Sequence, residues 1–275
     1  MLIIEDKIIL ITGSTDGIGY QAAVELVKSG HYIILHGRNR EKTELTMKRI
    51  EMDTNKKNLS IVYADLRSFS QIKEMVNEIY EHFDKLDILI NNAGIYKSER
   101  SITQEGLEET FAINYVAPFL LSNLLIDLLK KRKPSRIVNV ASQVHSNHFN
   151  FENLQFKQGY TGTKAYAQSK TALILFTYLL AEKLKNTGIT VNCLHPGVIN
   201  TKLLKTAMSF GGASPKKGAK TLIYAATAPE LENVSGKYFV NNRSEPSKDI
   251  TYNKGIQKKL WRKTEEIIEM DFKFY

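Results

Sequence analysis

Residues 159–170, GYTGTKAYAQSK, repeat the spacing tyrosine, three residues, lysine: Tyr160 with Lys164, then Tyr166 with Lys170. Four apart on a helix, the two side chains lie on one face, one turn apart. A free phenol with a pKa of about 10 donates a proton well and accepts one poorly at neutral pH. An ammonium group beside it stabilises the phenolate and lowers that pKa. Such a pair suits the movement of a proton to or from the oxygen of a carbonyl or alcohol. Two overlapping copies cannot share one active site. Lys170 is followed by TALILFTYLLAEKLK, an uninterrupted helical pattern, whereas Gly159 precedes Tyr160 and Gly162 separates it from Lys164. The glycines predict a loop with no fixed facing for the first pair. The working pair is therefore Tyr166 and Lys170.

The elements that must carry such a pair are legible as alternation. Runs 7–12, 31–36, 59–64, 86–91, 136–141 and 189–195 are short and β-branched, and a last one covers 236–240. Most are apolar throughout, as strands covered on both faces should be. Helical patterns lie between them at 18–29, 40–51, 68–83, 103–131 and 165–186, with a helical tail near 254–270. In the third of these, Ile72, Met75, Val76, Ile79 and Phe83 form one stripe at three-and-four spacing. The alternation predicts an α/β fold, a doubly wound parallel sheet of about seven strands with helices on both faces. No linker, repeat or low-complexity segment interrupts it, so 1–275 is expected to be one domain.

Composition narrows the function. No apolar run approaches the roughly 18–20 residues that a membrane span needs. MLIIEDKIIL reads as a first strand rather than a signal peptide. The single cysteine, Cys193, excludes an internal disulfide framework and reads as buried packing, which points to a reducing interior, most simply the cytoplasm. His145 and His148 have metal-compatible spacing but no third ligand nearby, so no metal is expected. The net charge of +9, with KKRK at 130–133 and KKLWRK at 258–263, invites a nucleic-acid reading. Acidic residues are interleaved almost everywhere, so a solvated basic surface is expected and no nucleic-acid partner.

ITGSTDGIGY joins the first strand to the first helix, with Gly13, Gly17 and Gly19 in GxxxGxG spacing. Glycines permit a tight turn and close backbone approach, and helix-end amides favour an anion such as a pyrophosphate. TGSTDGIG (12–19), NNAG (91–94), Asn114, Ser142, YAQSK (166–170) and HPG (195–197) follow in the order seen in short-chain dehydrogenases/reductases. The chain resembles that family from residue 7 to about 240. GRNREK (37–42), SQVHSNHFNFENL (142–154) and the run from Ala165 to Lys185 resemble its retinol-dehydrogenase-like branch. Members of that branch often carry a membrane-anchoring N-terminal helix. This chain starts at its first strand, so a soluble protein is expected. Ser142 stands 18 residues before Tyr160 and 24 before Tyr166. Many family members have the shorter separation, and the branch's lengthened loop accounts for the longer one.

The resemblance implies a Rossmann-type sheet and hydride transfer between NADP(H) and a carbonyl or alcohol carbon, with NAD(H) as the weaker alternative. It makes Tyr166 the general acid/base and gives Lys170 the nicotinamide ribose as well. Ser142 would polarise the substrate oxygen, and Asn114 would hold a water linking Lys170 to solvent. It carries cofactor contacts to Gly13, Ser14, Asp16, Gly17, Ile18, Gly19, Arg38, Asn39, Asp65, Leu66, Asn92, Ala93, Gly94, Pro196, Gly197, Val198 and Thr201. Arg38, with no acid before Glu41, favours the 2′-phosphate of NADP(H). Arg40 is the weaker candidate, and Asp16 opposes the preference or pairs with an arginine.

The substrate is expected to be a small, apolar carbonyl or alcohol compound. Segment 143–164 offers Val144, Phe149, Phe151, Leu154, Phe156 and Tyr160 as a roof or as loop anchors, with Val144 and Tyr160 as contacts. Segment 202–214, with Leu203, Leu204, Met208 and Phe210, offers the other wall. Assembly as a homodimer or homotetramer is open. A catalytically silent NADP(H)-binding regulator is the alternative function. An epimerase or dehydratase lacks the chain for a substrate domain.

Overall fold

The structure, a computed structural model, describes residues 6–207 and 211–273. The predicted strand runs form β1 (Ile8–Ile11), β2 (Tyr32–Gly37), β3 (Leu59–Tyr63), β4 (Ile88–Asn91), β5 (Ser135–Val140), β6 (Ile189–His195) and β7 (Tyr238–Val240). They pair in parallel in the order 3-2-1-4-5-6-7, and β8 (Arg243–Glu245) closes that edge antiparallel to β7. β8 is short, polar and exposed, so it carries no hydrophobic pattern that would announce a strand.

The strand side chains alternate between two apolar layers, because successive residues point to opposite faces. Ile9, Ile11, Ile33, Leu35, Ile88 and Ile90 face α1 (Gly17–Lys28), α2 (Arg40–Thr54) and α9 (Pro215–Thr227). Leu10, Ile34, Leu89, Ile137 and Cys193 face the other layer. That layer begins with α3 (Phe69–His82). Next comes a broken helix, α4 (Glu109–Phe111), a π-turn (Ala112–Val116), α5 (Ala117–Leu124) and α6 (Ile126–Lys130). α7 (Gly162–Lys183) and α10 (Lys254–Ile268) complete it, with α8 (Lys202–Ala207) outside near β6. Trp261 of α10 fixes the tail, its ring 4.7 Å from Phe119 and 5.9 Å from Phe176.

Three boundaries differ from the sequence reading. The helix expected from residue 103 starts at Glu109, because Gly106 takes φ +74 and closes a turn between Thr103 and Leu107. α7 starts at Gly162 rather than 165, since the Thr161 hydroxyl caps it by accepting from the Lys164 amide. Lys164 is thus helical, and the loop expected over 143–164 ends at Thr161. α9 is an added element, opened by Ser214 and Pro215, a helix-start signal that its lysine-rich first turn disguises. Among the described residues no helix is long and apolar enough to cross a membrane.

Candidate active site

Sheet order reverses between β1 and β4, and at their carboxyl ends a cavity of about 470 Å³ opens. In doubly wound sheets this crevice is where ligands bind. Its floor is the glycine turn after β1. Gly13 has φ +65, and a Cβ there would stand 3.0 Å from the Ala93 Cα, so only glycine allows the turn to meet the β4 loop. A Cβ on Gly19 would strike Asn92 and Gly13, which explains the third glycine by packing rather than ligand contact. Thr12 completes the junction: its hydroxyl accepts from the amides of Asn92 and Ala93 at 2.9 and 3.0 Å. The Asn92 side chain donates back to Thr12 O at 2.8 Å.

The crevice brings together Gly13, Asp16, Gly17, Ile18, Arg38, Asp65, Leu66, Asn92, Ala93 and Gly94 with the catalytic candidates Ser142, Tyr166 and Lys170. Pro196, Gly197, Val198 and Thr201 line the same wall. Ser14, Gly19 and Asn39 do not reach it. Ser14 is buried against His36, and Asn39 caps α2 by accepting from the Lys42 amide at 2.8 Å. His36, Tyr96, Thr163 and His195 also line the cavity, and the sequence reading missed them as lining groups.

At the inner end, α7 presents Tyr166 and Lys170 as one face, and β5 delivers Ser142 opposite. The Ser142 hydroxyl accepts from the Val144 amide at 3.0 Å and bonds the Tyr166 phenol. Lys170 Nζ donates to Val140 O at 2.8 Å and lies 5.7 Å from the Tyr166 ring centre. The expected lowering of the tyrosine pKa is not what this site produces. Burial pushes Tyr166 up to about 12, and only the Ser142 hydrogen bond opposes it. Burial also lowers Lys170 to about 8, so desolvation weakens both charged forms together.

Asn114 sits in the π-turn, a geometry common at functional sites. Its amide nitrogen donates to Ile95 O and Ser169 Oγ, both at 3.0 Å, while Oδ1 accepts from Ile95 N at 2.8 Å. The side chain clamps the 93–96 loop onto α7, leaving one lone pair on Oδ1 for the water that the sequence reading assigned to it.

Tyr160 does not line the crevice. Its hydroxyl donates to Lys97 O at 3.1 Å and to Glu108 Oε1 at 3.3 Å. Val144 does line it; Phe149, Phe151 and Leu154 turn inward instead, and Phe156 packs edge-on against Tyr160. Phe149 and Phe151 meet edge to face at 5.0 Å against the core, and Leu154 is buried there. Leu203 and Leu204 form part of the opposite wall; Met208 and Phe210 lie outside the described residues. His145 donates through Nδ1 to Ser142 O at 2.8 Å and accepts the Lys248 amide at 3.0 Å, tying the catalytic loop to the C-terminal segment.

At the outer end Arg38 lines the cavity, exposed, while Arg40 is turned away, bonded to Glu44 at 2.9 Å and over the Tyr63 ring. Asp16 pairs with two lysines rather than an arginine, Lys202 at 2.8 Å and Lys42 at 3.7 Å. The Lys202 hydrogen bond, aided by the Gly17 amide and Lys42, holds its carboxyl below the usual range despite burial.

Known proteins share this plan. The family described as short chain dehydrogenase matches residues 7–210. Retinol dehydrogenase 13 of Mus musculus is 38% identical over 282 residues, covering 96% of this chain and 84% of that protein. Polyprenol dehydrogenase of Homo sapiens is 38% identical over 280 residues, covering 95% and 85%. Among solved structures, an uncharacterized protein from Mycobacterium paratuberculosis superposes with a TM-score of 0.78 at 26% identity, covering 97% of this chain and 95% of that one. A Shigella flexneri short chain dehydrogenase complexed with NADP gives 0.69 at 26%, covering 86% and 97%. The chain is a hydride-transfer oxidoreductase by family: it belongs to the short-chain dehydrogenases/reductases, in their retinol-dehydrogenase-like branch.

Proposed function

We propose that the protein moves hydride between NADP(H) and the carbonyl or alcohol carbon of an apolar substrate, with Tyr166 as general acid/base. One observation carries this reading: Tyr166, Ser142 and Lys170 meet at the inner end of a crevice whose outer end is Arg38. The residues present fit a dinucleotide. The glycine turn leaves room for its pyrophosphate beside the first amides of α1, and Arg38 makes no hydrogen bond or ion pair among the described residues. Asp65, on that side, is hydrogen-bonded by Arg67 and feels Arg38 only through its charge. The Arg38 guanidinium therefore remains for a 2′-phosphate. The NADP complex of the Shigella flexneri relative supports the choice.

The nicotinamide, when bound, supplies or takes the hydride. The chain's own groups handle the oxygen. Ser142 accepts the Val144 amide and gives its hydroxyl hydrogen to the Tyr166 phenol, and a bound substrate oxygen between the two would take that hydrogen bond over. Tyr166, high in pKa, holds its proton at neutral pH and gives it to the developing alkoxide in reduction. In oxidation the same group must lose that proton first, with the Lys170 ammonium as the nearby stabilising charge. Ile95, Tyr96, Val144, Leu203 and Leu204 give the substrate end an apolar lining. The names of two relatives, retinol and polyprenol dehydrogenase, agree with an apolar alcohol. The single, buried Cys193 agrees with a reducing compartment such as the cytoplasm.

The test is a panel of aldehydes and ketones followed by NADPH absorbance. Turnover of medium-chain or aromatic carbonyls above short polar ones is expected. Tight NADPH binding with no turnover across the panel would favour the silent regulator instead.

A further inference from the structure

We propose that His36 is a positioning residue of the dinucleotide site, a neutral imidazole that staples the glycine turn to the end of β3. This rests on the NADP(H) reading above. By strand period, position 36 shares the face of Ile34, which belongs to an apolar layer, so an aliphatic side chain would be the ordinary occupant. The imidazole there is only 3% exposed, yet both ring nitrogens are satisfied. Nε2 lies 3.1 Å from Ala64 O, which can only accept, so Nε2 carries the hydrogen. Nδ1 then holds a lone pair, and it accepts the Gly13 amide at 3.1 Å.

The two partners fix one tautomer, and the Gly13 amide opposes the charged ring, because a proton on Nδ1 would face the Gly13 N–H, whereas Ala64 O accepts from Nε2 in either state. Burial, which lowers the His36 pKa to about 4, acts in the same direction. The staple is reinforced by the neighbouring backbone. The Ser14 amide donates to His36 O at 3.0 Å, and the His36 amide donates to Ser14 Oγ at 2.9 Å. Ala64 N in turn donates to Gly37 O at 3.3 Å, immediately before Asp65 and Leu66 enter the cavity wall. Gly13 thus spends its amide on the protein, and its left-handed backbone is held from the side. Three loops that must present themselves together to one ligand converge on one ring. His36 lines the wall at the glycine-turn end and spends both ring nitrogens on Gly13 and Ala64, so its effect belongs to cofactor binding rather than to the chemical step.

Fluorescence titration with NADPH and steady-state kinetics on the full chain test this, using wild type, His36→Leu, His36→Asn and His36→Gln. His36→Leu should raise the NADPH Kd and the cofactor KM at least tenfold, with kcat at saturating cofactor within twofold of wild type. Asparagine places its amide oxygen near the Nδ1 position and should recover much of the affinity; glutamine reaches only toward Nε2 and should recover less. Should the leucine variant fail to fold by circular dichroism, the asparagine–glutamine comparison decides, and equal affinities overturn the proposal. A folded His36→Leu with wild-type Kd, or one that loses kcat and not affinity, also overturns it. Wild type that binds neither NADPH nor NADP+ would instead overturn the cofactor reading beneath.

Discussion

The outer end of the crevice is held by polar contacts between loop backbones, whereas the substrate end is walled by side chains. At the glycine turn Thr12, His36 and Asn92 each bond main-chain groups of another loop at 2.8–3.1 Å. Around Tyr166 the cavity surface itself is made by the side chains of Tyr96, Val144, Leu203 and Leu204. Main-chain bonds fix position within tenths of an ångström and tolerate few substitutions. Apolar walls can be exchanged for others of similar volume. The first end should therefore respond to substitution in cofactor affinity, and the second in substrate choice.

The sharpest break lies where the two ends meet. Tyr166→Phe should lower kcat by about 10³-fold, within the range for a lost general acid, while the NADPH Kd changes less than about twofold. Tyr160→Phe, whose hydroxyl serves Lys97 and Glu108, should keep most of the rate. Comparable losses in both would reassign the acid.

Arg38→Ala comes next. Loss of a charge-assisted bond should lower kcat/KM with NADPH by about 10–100-fold and leave NADH nearly unchanged. A wild type that works better with NADH would show that Arg38 does not set the preference.

The turn and the α7 helix were legible because their signals are local: glycine spacing, a β-branched run, an apolar helical pattern. His36 and Thr12 were not, because their partners lie far along the chain, at Ala64, Asn92 and Ala93. The roof residues show a different limit. An apolar side chain in a loop has the same signature whether it faces a pocket or anchors the loop, and Phe149 and Phe151 anchor. Tyr166 illustrates the third: its neighbours were right in type, yet burial rather than the lysine charge dominates its pKa.

Acidification probes the same contrast through stability. His36 and His195 each have a pKa lowered by burial from 6.5 to about 4. The unfolded chain thus takes up protons more readily, and stability is lost as pH falls through 6.5 toward 4, levelling below. Each should contribute roughly 1–3 kcal/mol to that loss. Urea denaturation across this window should flatten in His36→Asn; an unchanged slope would place the sensitivity elsewhere.

Proton transfer gives a milder pH signature. Alcohol oxidation needs the Tyr166 phenolate, so its rate should climb with pH by up to about tenfold per unit below the operative pKa. Carbonyl reduction needs the protonated form and should hold level over the same range. Parallel profiles would remove Tyr166 from the proton step. The smallest effect is expected at the side-chain wall: Leu203→Ala should raise KM for apolar carbonyls by a few-fold, leaving cofactor KM alone. A change in cofactor KM instead would blur the division between the two ends.

The π-turn at Ala112–Val116 is an α-helix with one residue too many. Deleting a single residue there would heal the hydrogen-bond ladder, and by local energetics the helix would improve. It would also rotate everything on one side of the cut by about 100° relative to the other. Tyr115, whose hydroxyl meets Thr264 of α10 at 2.6 Å, and Asn114, which grips Ile95 and Ser169, could not both keep their partners. The irregular turn is thus a length constraint on the gene. Buried as they are, residues 117–123 should still accept volume-conserving exchanges before the stretch accepts the loss of one codon between 112 and 116, although the shorter chain would form the more regular helix.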